Sequence, residues 1–254
     1  MKDMIRQVFV VVSILATIAI NALANALPIN GQNTGEISDR FKVYFVPEGY
    51  VFSIWGLIYL GLIAYAIFQA LPSQRENPRL RATGWWVVLG GLANTTWIFL
   101  WHYEQFPLTI VVMLGLLATL LVTYQRLETG KISVPAAEKW AVRLPFSIYL
   151  GWITVATVAN ATSLLDYLKW DGFGIADETW MMIVLGVVLI IAALMNFTRR
   201  DAAYAAVLLW ALAGIGIKHA EVSPVAIPTW ITFGLVALTL VVALFVRKPV
   251  YKGE

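Results

Sequence analysis

Eight apolar runs of about twenty residues alternate with short polar segments along the chain. A helix rises about 1.5 Å per residue, so about twenty apolar residues cross the hydrocarbon core of a bilayer. The pattern therefore predicts an all-α integral membrane protein with eight spans. The predicted spans are residues 5–27, 50–71, 84–101, 107–125, 142–166, 180–198, 202–218 and 228–246.

The composition fits this class of protein. Hydrophobic residues make up 60% of the chain and charged residues 13%, whereas soluble domains are about half apolar and a quarter charged. The chain has no cysteine, which excludes disulfides, thiolate catalysis and cysteine metal sites. The bilayer is thus the expected environment, and we expect no nucleic-acid partner.

The basic residues predict the orientation of the spans. If eight helices alternate across the membrane, one side receives both termini and the loops at 72–83, 126–141 and 199–201. The other side then holds only Arg40, Lys42, Lys169 and Lys218 of the 18 basic residues. By the positive-inside rule, both termini are expected in the cytoplasm of a multi-pass protein of the bacterial inner (plasma) membrane.

The first span has a second interpretation. Lys2 and Arg6 precede an apolar run that ends in Ala24-Asn25-Ala26, the pattern of a signal peptide with an Ala-x-Ala cleavage site. The apolar stretch is long for a signal peptide, which favours an uncleaved helix. Cleavage would leave seven spans with the same sidedness.

Nearly all the asparagines and tryptophans inside the first, second, third and fifth spans share one depth, in the outer half of the predicted membrane, whereas Asn196 lies at the inner end of the sixth span. Polar groups are costly in hydrocarbon, so they face the bundle interior or a cavity. Helical spacing places them on common faces. The same-face sets are Trp55 with Tyr59, Asn94 with Trp97, and Tyr149 with Trp152 and Asn160. Aromatic walls with a few amides are typical of a pocket for a flat, largely apolar ligand. Alternatively, each asparagine only bonds to a neighbouring helix and each tryptophan only packs.

Other aromatic and titratable residues fall at predicted span ends. A tryptophan there keeps its ring in lipid and its N–H among headgroups, which accounts for Trp85, Trp86, Trp101, Trp140, Trp170, Trp180 and Trp230. His102 and His219 are also at outer span ends and are too few for a histidine metal site. The spans contain no acid–base pair or activated nucleophile. We therefore expect no enzyme, no metal and no required cofactor.

Three motifs, in order along the chain, resemble the translocator protein family (TspO/MBR, the tryptophan-rich sensory proteins). "PEGYVFSIWGLIY" is similar to the start of the family's second helix, with Glu48 where the family has a second proline. "LANTTWIFLW" resembles its third helix. "YLGWITVATVAN" resembles its fifth, with Ile148 in place of the proline before the tyrosine. The resemblance covers roughly residues 5 to 166.

The resemblance implies a five-helix bundle over residues 1–168, in which a lid loop at 28–49 covers a ligand cavity. Family members bind porphyrins, sterol-like lipids and isoquinoline or benzodiazepine drugs. The implied cavity residues are Trp55, Asn94, Trp97, Trp152 and Asn160, joined by Tyr59 and Tyr149. The implied lid and mouth residues are Phe41, Tyr44, Pro47 and Tyr50. Residues 169–254 form three additional helices of unknown role.

The sequence thus predicts a membrane receptor or sensor for a hydrophobic planar ligand, a tetrapyrrole before a sterol-like lipid. Arg40 or Lys42 pairs with the propionates of a porphyrin, or both are merely solvated. A transporter of such ligands and a pigment- or partner-holding subunit of a larger membrane complex remain alternatives. A homodimer or a membrane-complex partner is also possible.

Overall fold

The structure, a computed structural model, describes residues 1–27, 29–246 and 251–252. Helices account for most of this part of the chain, and two short strands pair in parallel through Ile132 with Tyr251. The elements are α1 (Lys2–Ala26), α2 (Thr34–Asp39), α3 (Ile54–Ala70), α4 (Pro78–His102), α5 (Phe106–Arg126), β1 (Ile132–Ser133), α6 (Ala136–Glu138), α7 (Leu144–Tyr167), α8 (Asp177–Arg199), α9 (Ala202–Lys218), α10 (Ser223–Phe245) and β2 (Tyr251–Lys252).

Short helical turns extend some of these elements. A 3₁₀ turn at Gly49–Ser53 leads into α3, and a π-helical segment at Lys139–Arg143 joins α6 to α7. The π segment ends two residues before Pro145, whose missing N–H and fixed φ break the regular hydrogen-bond ladder. Further 3₁₀ turns lie at Ile29–Gly31, Pro72–Gln74 and Gly172–Gly174.

The long helices fall on the predicted apolar runs. Within the described residues, six helical segments are long and apolar enough to cross a membrane: Lys2–Ala26, Gly49–Ala70, Phe106–Arg126, Ala136–Tyr167, Asp177–Arg199 and Ser223–Phe245. Helix α9 is apolar but has 17 residues, and α4 has the length but is less apolar because of Asn94, three threonines and several tryptophans. The protein is therefore a multi-pass membrane protein, and the count of eight spans stays a prediction.

Five of the long helices close into a ring. Helix α1 packs on α3 and α4, α4 on α5, α5 on α7, and α7 back on α3. Helices α8, α9 and α10 pack on one another, and α9 joins them to the ring through α7. One continuous hydrophobic core runs through both groups. The boundary at residue 168 stays a prediction, because the core shows no break there.

Helix α9 lies close to α7 because Gly151 has no side chain. A Cβ at this position would come within 3.0 Å of the Val207 side chain and 3.2 Å of the Tyr204 carbonyl oxygen. Small residues at such crossings let helix backbones approach in membranes. The contact therefore lets the backbones of α7 and α9 pack closely at this crossing.

The basic loops gather at one end of the bundle, which we call the basic end. Arg81 pairs with Asp3 at 2.7 Å, and Arg79 donates to Glu138, so the N-terminus and the 72–83 and 126–141 loops meet there. The strand pair adds the C-terminal segment to this end. Arg247 and Lys248 of the predicted basic tail, and Pro28 of the predicted lid, lie outside the described residues.

Candidate functional site

The opposite end of the ring carries a small cavity beneath the 29–49 segment, and we call these the lid cavity and the lid. The cavity has a volume of about 60 Å³. The lid covers it with Thr34, Ser38, Val46 and Pro47. Its other walls are Phe52, Trp97, Trp101, Trp152, Val155, Ala156, Ala159, Asn160 and Ser163. Hydroxyl, amide and indole groups are its polar groups, and none of these residues carries a charge.

Trp97 and Asn160 form one wall, and their polar atoms already have protein partners. The Trp97 indole N–H donates to Asn160 Oδ1 at 2.9 Å, and Asn160 Nδ2 donates to Thr109 Oγ1 at 2.9 Å. Trp97 stacks on Trp101 with ring centroids 5.1 Å apart. In this closed state, the Asn160 amide therefore holds α4, α5 and α7 together.

Trp152 forms another wall and differs from Trp97 in one respect. Its indole N–H is buried and has no hydrogen-bond partner within the described residues. Its ring meets Phe52 edge-on at 5.6 Å and Trp55 at 6.4 Å. An unpaired buried donor costs about 1–3 kcal/mol. A ligand acceptor that reached this N–H would recover that cost.

The other predicted site residues form a second cluster, beside the lid cavity and outside its lining. Asn94 accepts from Asn21 Nδ2 at 2.7 Å and donates to the Tyr149 hydroxyl at 2.9 Å. Trp55 stacks on Tyr59 with centroids 5.5 Å apart and meets Tyr149 edge-on at 6.1 Å. This cluster joins α1, α4, α7 and α3 across the ring. Of the predicted residues, Pro47, Trp97, Trp152 and Asn160 line the lid cavity.

The first half of the lid is held by the end of α4. The His102 ring lies 3.0 Å from the Thr34 hydroxyl through Nε2 and 3.1 Å from the Ile29 carbonyl oxygen through Nδ1. The Asn30 side chain donates to the His102 carbonyl oxygen at 3.0 Å. His102 is the last residue of α4, and its ring is buried under the lid.

Aromatic packing adds to this hold. Phe41 meets Phe106 edge-on at 5.1 Å and lies 5.8 Å from Trp101. Trp101 is buried, and its indole N–H donates to the Thr34 carbonyl oxygen at 3.3 Å. The prediction that Trp101 only anchors at the membrane interface is therefore wrong. Its i, i+4 spacing from Trp97 is the sequence signal that could have placed it in the site.

The second half of the lid is held by helices α8 and α9. The Tyr44 hydroxyl donates to Glu178 at 3.1 Å, and His219 Nε2 donates to the Tyr44 carbonyl oxygen at 3.1 Å. Burial and the Glu178 carboxylate raise the pKa of Tyr44. Burial, with the charge of Lys218, lowers the pKa of His219. Tyr44 thus connects the lid to two helices that follow it by more than 130 residues.

Helix α9 also contacts the segment that leads from the lid into α3. The Glu48 N–H donates to the Gly214 carbonyl oxygen at 3.3 Å, and the Trp210 indole donates to the Val51 carbonyl oxygen at 3.0 Å. The Tyr50 ring meets Trp210 edge-on at 5.3 Å. Tyr50 therefore lies against α9 and not over the lid cavity.

Within the described residues, no cluster of three histidine, aspartate or glutamate side chains could hold a metal ion. The lid cavity is therefore a candidate site for an uncharged, aromatic or apolar group, recognised by ring packing and a small number of hydrogen bonds.

The apolar helices, the closed ring and the lidded aromatic cavity define an all-helical, multi-pass integral membrane protein. Comparison with family models then gives one match, to the TSPO-like protein family, over residues 7–245. The chain therefore belongs to the TSPO-like protein family, and this membership suggests a membrane ligand-binding or sensor role. The match includes α8, α9 and α10. No curated protein and no solved structure matches the chain.

Proposed function

We propose that the protein is a membrane receptor or sensor that binds a hydrophobic planar ligand, a tetrapyrrole before a sterol-like lipid, in the lid cavity. The observation that carries the proposal is the cavity itself: uncharged aromatic walls from α4 and α7, closed by a lid that hydrogen bonds hold at both halves. Ring stacking on Trp97 and apolar burial would supply the affinity, and the Trp152 N–H would orient the ligand.

The closed state does not hold such a ligand. A cavity of about 60 Å³ has room for about two waters, whereas pockets for drug-sized ligands enclose roughly 300–1,000 Å³. The lid must therefore open before the ligand enters. The observed affinity then depends on the fraction of open protein, so a variant with a looser lid binds more tightly.

The charged side chains of the lid determine which of them can pair with the acidic groups of a ligand. Arg40 pairs with Glu104 at 2.9 Å, whereas Lys42 has no ion-pair partner within the described residues. For a porphyrin, Lys42 is thus the better partner for a propionate, which would stay outside the uncharged cavity.

The proposal includes eight spans with both termini in the cytoplasm, in a bacterial inner membrane. The lid then faces away from the cytoplasm. Binding requires no cofactor or metal and no reaction step. Transport of the same ligand, or a role as a subunit of a larger membrane complex, would use the same cavity as an intermediate or a docking site.

The experiment is a titration of the purified protein in detergent with protoporphyrin IX, followed by quenching of tryptophan fluorescence. The test variant is Ala156→Leu, which fills the lid cavity without removing a hydrogen bond. The matched control is Ala118→Leu, which adds the same atoms at an exposed position of α5.

We expect saturable quenching in the wild type and in Ala118→Leu, and at least tenfold weaker binding in Ala156→Leu. Equal binding by all three proteins would place the ligand elsewhere. Quenching that never saturates would remove the tetrapyrrole from the proposal, and the same titration with a sterol would follow.

A further inference from the structure

A second and larger cavity lies at the lid end, outside the five-helix ring. We call it the rim cavity. Its volume is about 210 Å³, and it lies between lid residues 42–45, the end of α7 and the beginning of α8. The buried Phe45 lines the rim cavity together with Tyr44, whereas the next residues, Val46 and Pro47, line the lid cavity. The rim cavity is therefore a separate compartment, and α8 supplies one of its walls.

Four charged side chains line the rim cavity, two of each sign. They are Lys42, Lys169, Asp166 and Asp177. None of them has an ion-pair partner within the described residues, although the four lie around the same cavity. Unpaired charges of both signs around one cavity complement a ligand that carries both a positive and a negative group.

Aromatic rings form the wall on the α8 side. Trp170 and Trp180 lie with ring centroids 5.0 Å apart, and Tyr44 faces them from the lid. The Trp180 indole N–H donates to the Gly172 carbonyl oxygen at 2.9 Å, which fixes its ring. Indole faces beside carboxylates attract an ammonium group. The aromatic wall therefore selects the cationic part of the ligand.

Exposed apolar side chains surround the mouth of the rim cavity. Phe173 is 78% exposed and meets Trp170 edge-on at 5.2 Å, and Leu165, Leu168 and Ile175 are exposed beside it. In a membrane protein, such side chains at a helix end lie among lipid tails and headgroups. A ligand of this cavity is therefore delivered by the bilayer.

We propose that the rim cavity binds the zwitterionic headgroup of a membrane phospholipid. Lys42 and Lys169 hold the phosphate. The ammonium has the two indoles on one side and the carboxylates of Asp166 and Asp177 on the other. The acyl chains follow the exposed apolar surface of α7 and α8. The cavity is smaller than the roughly 300–1,000 Å³ of pockets for drug-sized ligands, and this size favours a headgroup over a whole planar ligand.

The test is native mass spectrometry of the delipidated protein in detergent. Phosphatidylethanolamine, phosphatidylcholine or phosphatidylglycerol is added at equal concentration. Phosphatidylglycerol has the phosphate and lacks the ammonium. We expect the two zwitterionic lipids to be retained at least fivefold better. Equal retention of the three would overturn the proposal.

Two double variants separate the two charges. Lys42→Gln with Lys169→Gln is expected to lose retention of all three lipids. Asp166→Asn with Asp177→Asn is expected to lose the preference for zwitterionic lipids. The control, Glu221→Gln with Lys131→Gln, changes exposed charges away from the cavity and should behave as the wild type.

Lys42, Lys169, Asp166 and Asp177 lie at the surface, so both cavity variants are expected to fold. Their melting temperatures check this expectation. If both cavity variants retain the three lipids in the same proportions as the wild type, the proposal is overturned. Soluble glycerophosphoethanolamine provides the last comparison. If it binds as tightly as the lipid, the assignment to a membrane lipid is wrong.

Discussion

At the scale of single residues, amides in the spans act as ties between helices. The Asn94 amide joins Asn21 on α1 to Tyr149 on α7, and the Asn160 amide joins Trp97 on α4 to Thr109 on α5. A ligand that bonded to the Asn160 amide would have to replace one of these bonds. The Trp152 N–H needs no such exchange, because no described residue accepts from it.

The Asn94 tie predicts a loss of stability. Asn94→Ala leaves both Asn21 and the Tyr149 hydroxyl without their partner, so we expect the free energy of unfolding to fall by about 1–2 kcal/mol. Unfolding in mixed micelles with an increasing fraction of denaturing detergent measures this free energy. Asn25→Ala is the control, because the exposed Asn25 side chain bonds, among the described residues, to the Asn21 carbonyl oxygen of its own helix. A loss in the control as large as in Asn94→Ala would contradict the prediction.

The residue scale also shows what the sequence could and could not predict. The cost of polar groups in hydrocarbon placed Asn94 and Asn160 in the bundle interior. That argument could not decide whether each amide faces a cavity or a neighbouring helix. Trp101 was missed because its place at a span end suits a membrane-interface tryptophan equally well, and burial depends on the lid that covers it.

At the scale of elements, α9 is the helix against which the lid closes. His219, directly after α9, donates a hydrogen bond to the Tyr44 carbonyl oxygen of the lid. Within α9, the Gly214 carbonyl oxygen accepts from the Glu48 N–H, and the Trp210 indole donates to the Val51 carbonyl oxygen. Apolar periodicity predicted the position of α9 along the chain. It could not predict this contact, since nothing in a helical repeat indicates which distant loop the helix will meet.

The close approach of α9 predicts that Gly214→Ala loosens the lid. The added methyl would overlap the Val51 side chain, and overpacking of this kind costs about 1–3 kcal/mol. The chain has no cysteine, so Val46→Cys, on the buried inner side of the lid, reports opening by its rate of maleimide labelling. We expect labelling about tenfold faster with Gly214→Ala.

The control for this measurement is Gly186→Ala in the same Val46→Cys background. A Cβ at Gly186 meets no atom within 4 Å, so the lid should be unaffected. If Gly214→Ala and Gly186→Ala label at the same rate, α9 does not hold the lid closed.

The lowered pKa of His219 predicts a pH effect on the same contact. The folded state favours the neutral ring, so this contribution is complete above the ordinary pKa of about 6.5 and is lost as the pH falls below it. We expect labelling of Val46→Cys to rise from pH 7.5 to pH 5.5 more in the wild-type background than in His219→Gln. The glutamine can still donate to Tyr44 but does not titrate.

Comparison of the two backgrounds at each pH removes the pH dependence of the labelling reaction. It also removes the contribution of every other group that both backgrounds share. The charged neighbours Lys218, Glu48 and Glu178 are present in both as well. An identical pH response in the two backgrounds would show that His219 does not set the effect.

At the scale of the whole molecule, the two ends of the bundle differ in their charged side chains and in their cavities. The basic end joins the N-terminus, two loops and the C-terminal strand through paired side chains and β1–β2. The lid end carries the two cavities. The apolar runs and the distribution of basic residues along the chain predicted that one end of the bundle would be rich in basic residues. Both patterns depend on the bilayer and not on tertiary contacts.

This difference between the two ends predicts opposite accessibility for two exposed positions. Lys131→Cys at the basic end should react with a membrane-impermeant maleimide only after the cells are permeabilised. Glu221→Cys, in the loop after α9, should react in intact cells. Labelling of both positions in intact cells would contradict the eight-span topology.

The dependence of the lid on α9 has a consequence for the order of synthesis. The lid leaves the ribosome early, whereas Trp210, Gly214 and His219 follow some 160 to 175 residues later. Until these residues are translated and inserted, the second half of the lid has nothing to close against. We predict that during that interval the lid cavity is open on the side that α9 later closes. A ligand already dissolved in the membrane can be enclosed as the last helices arrive.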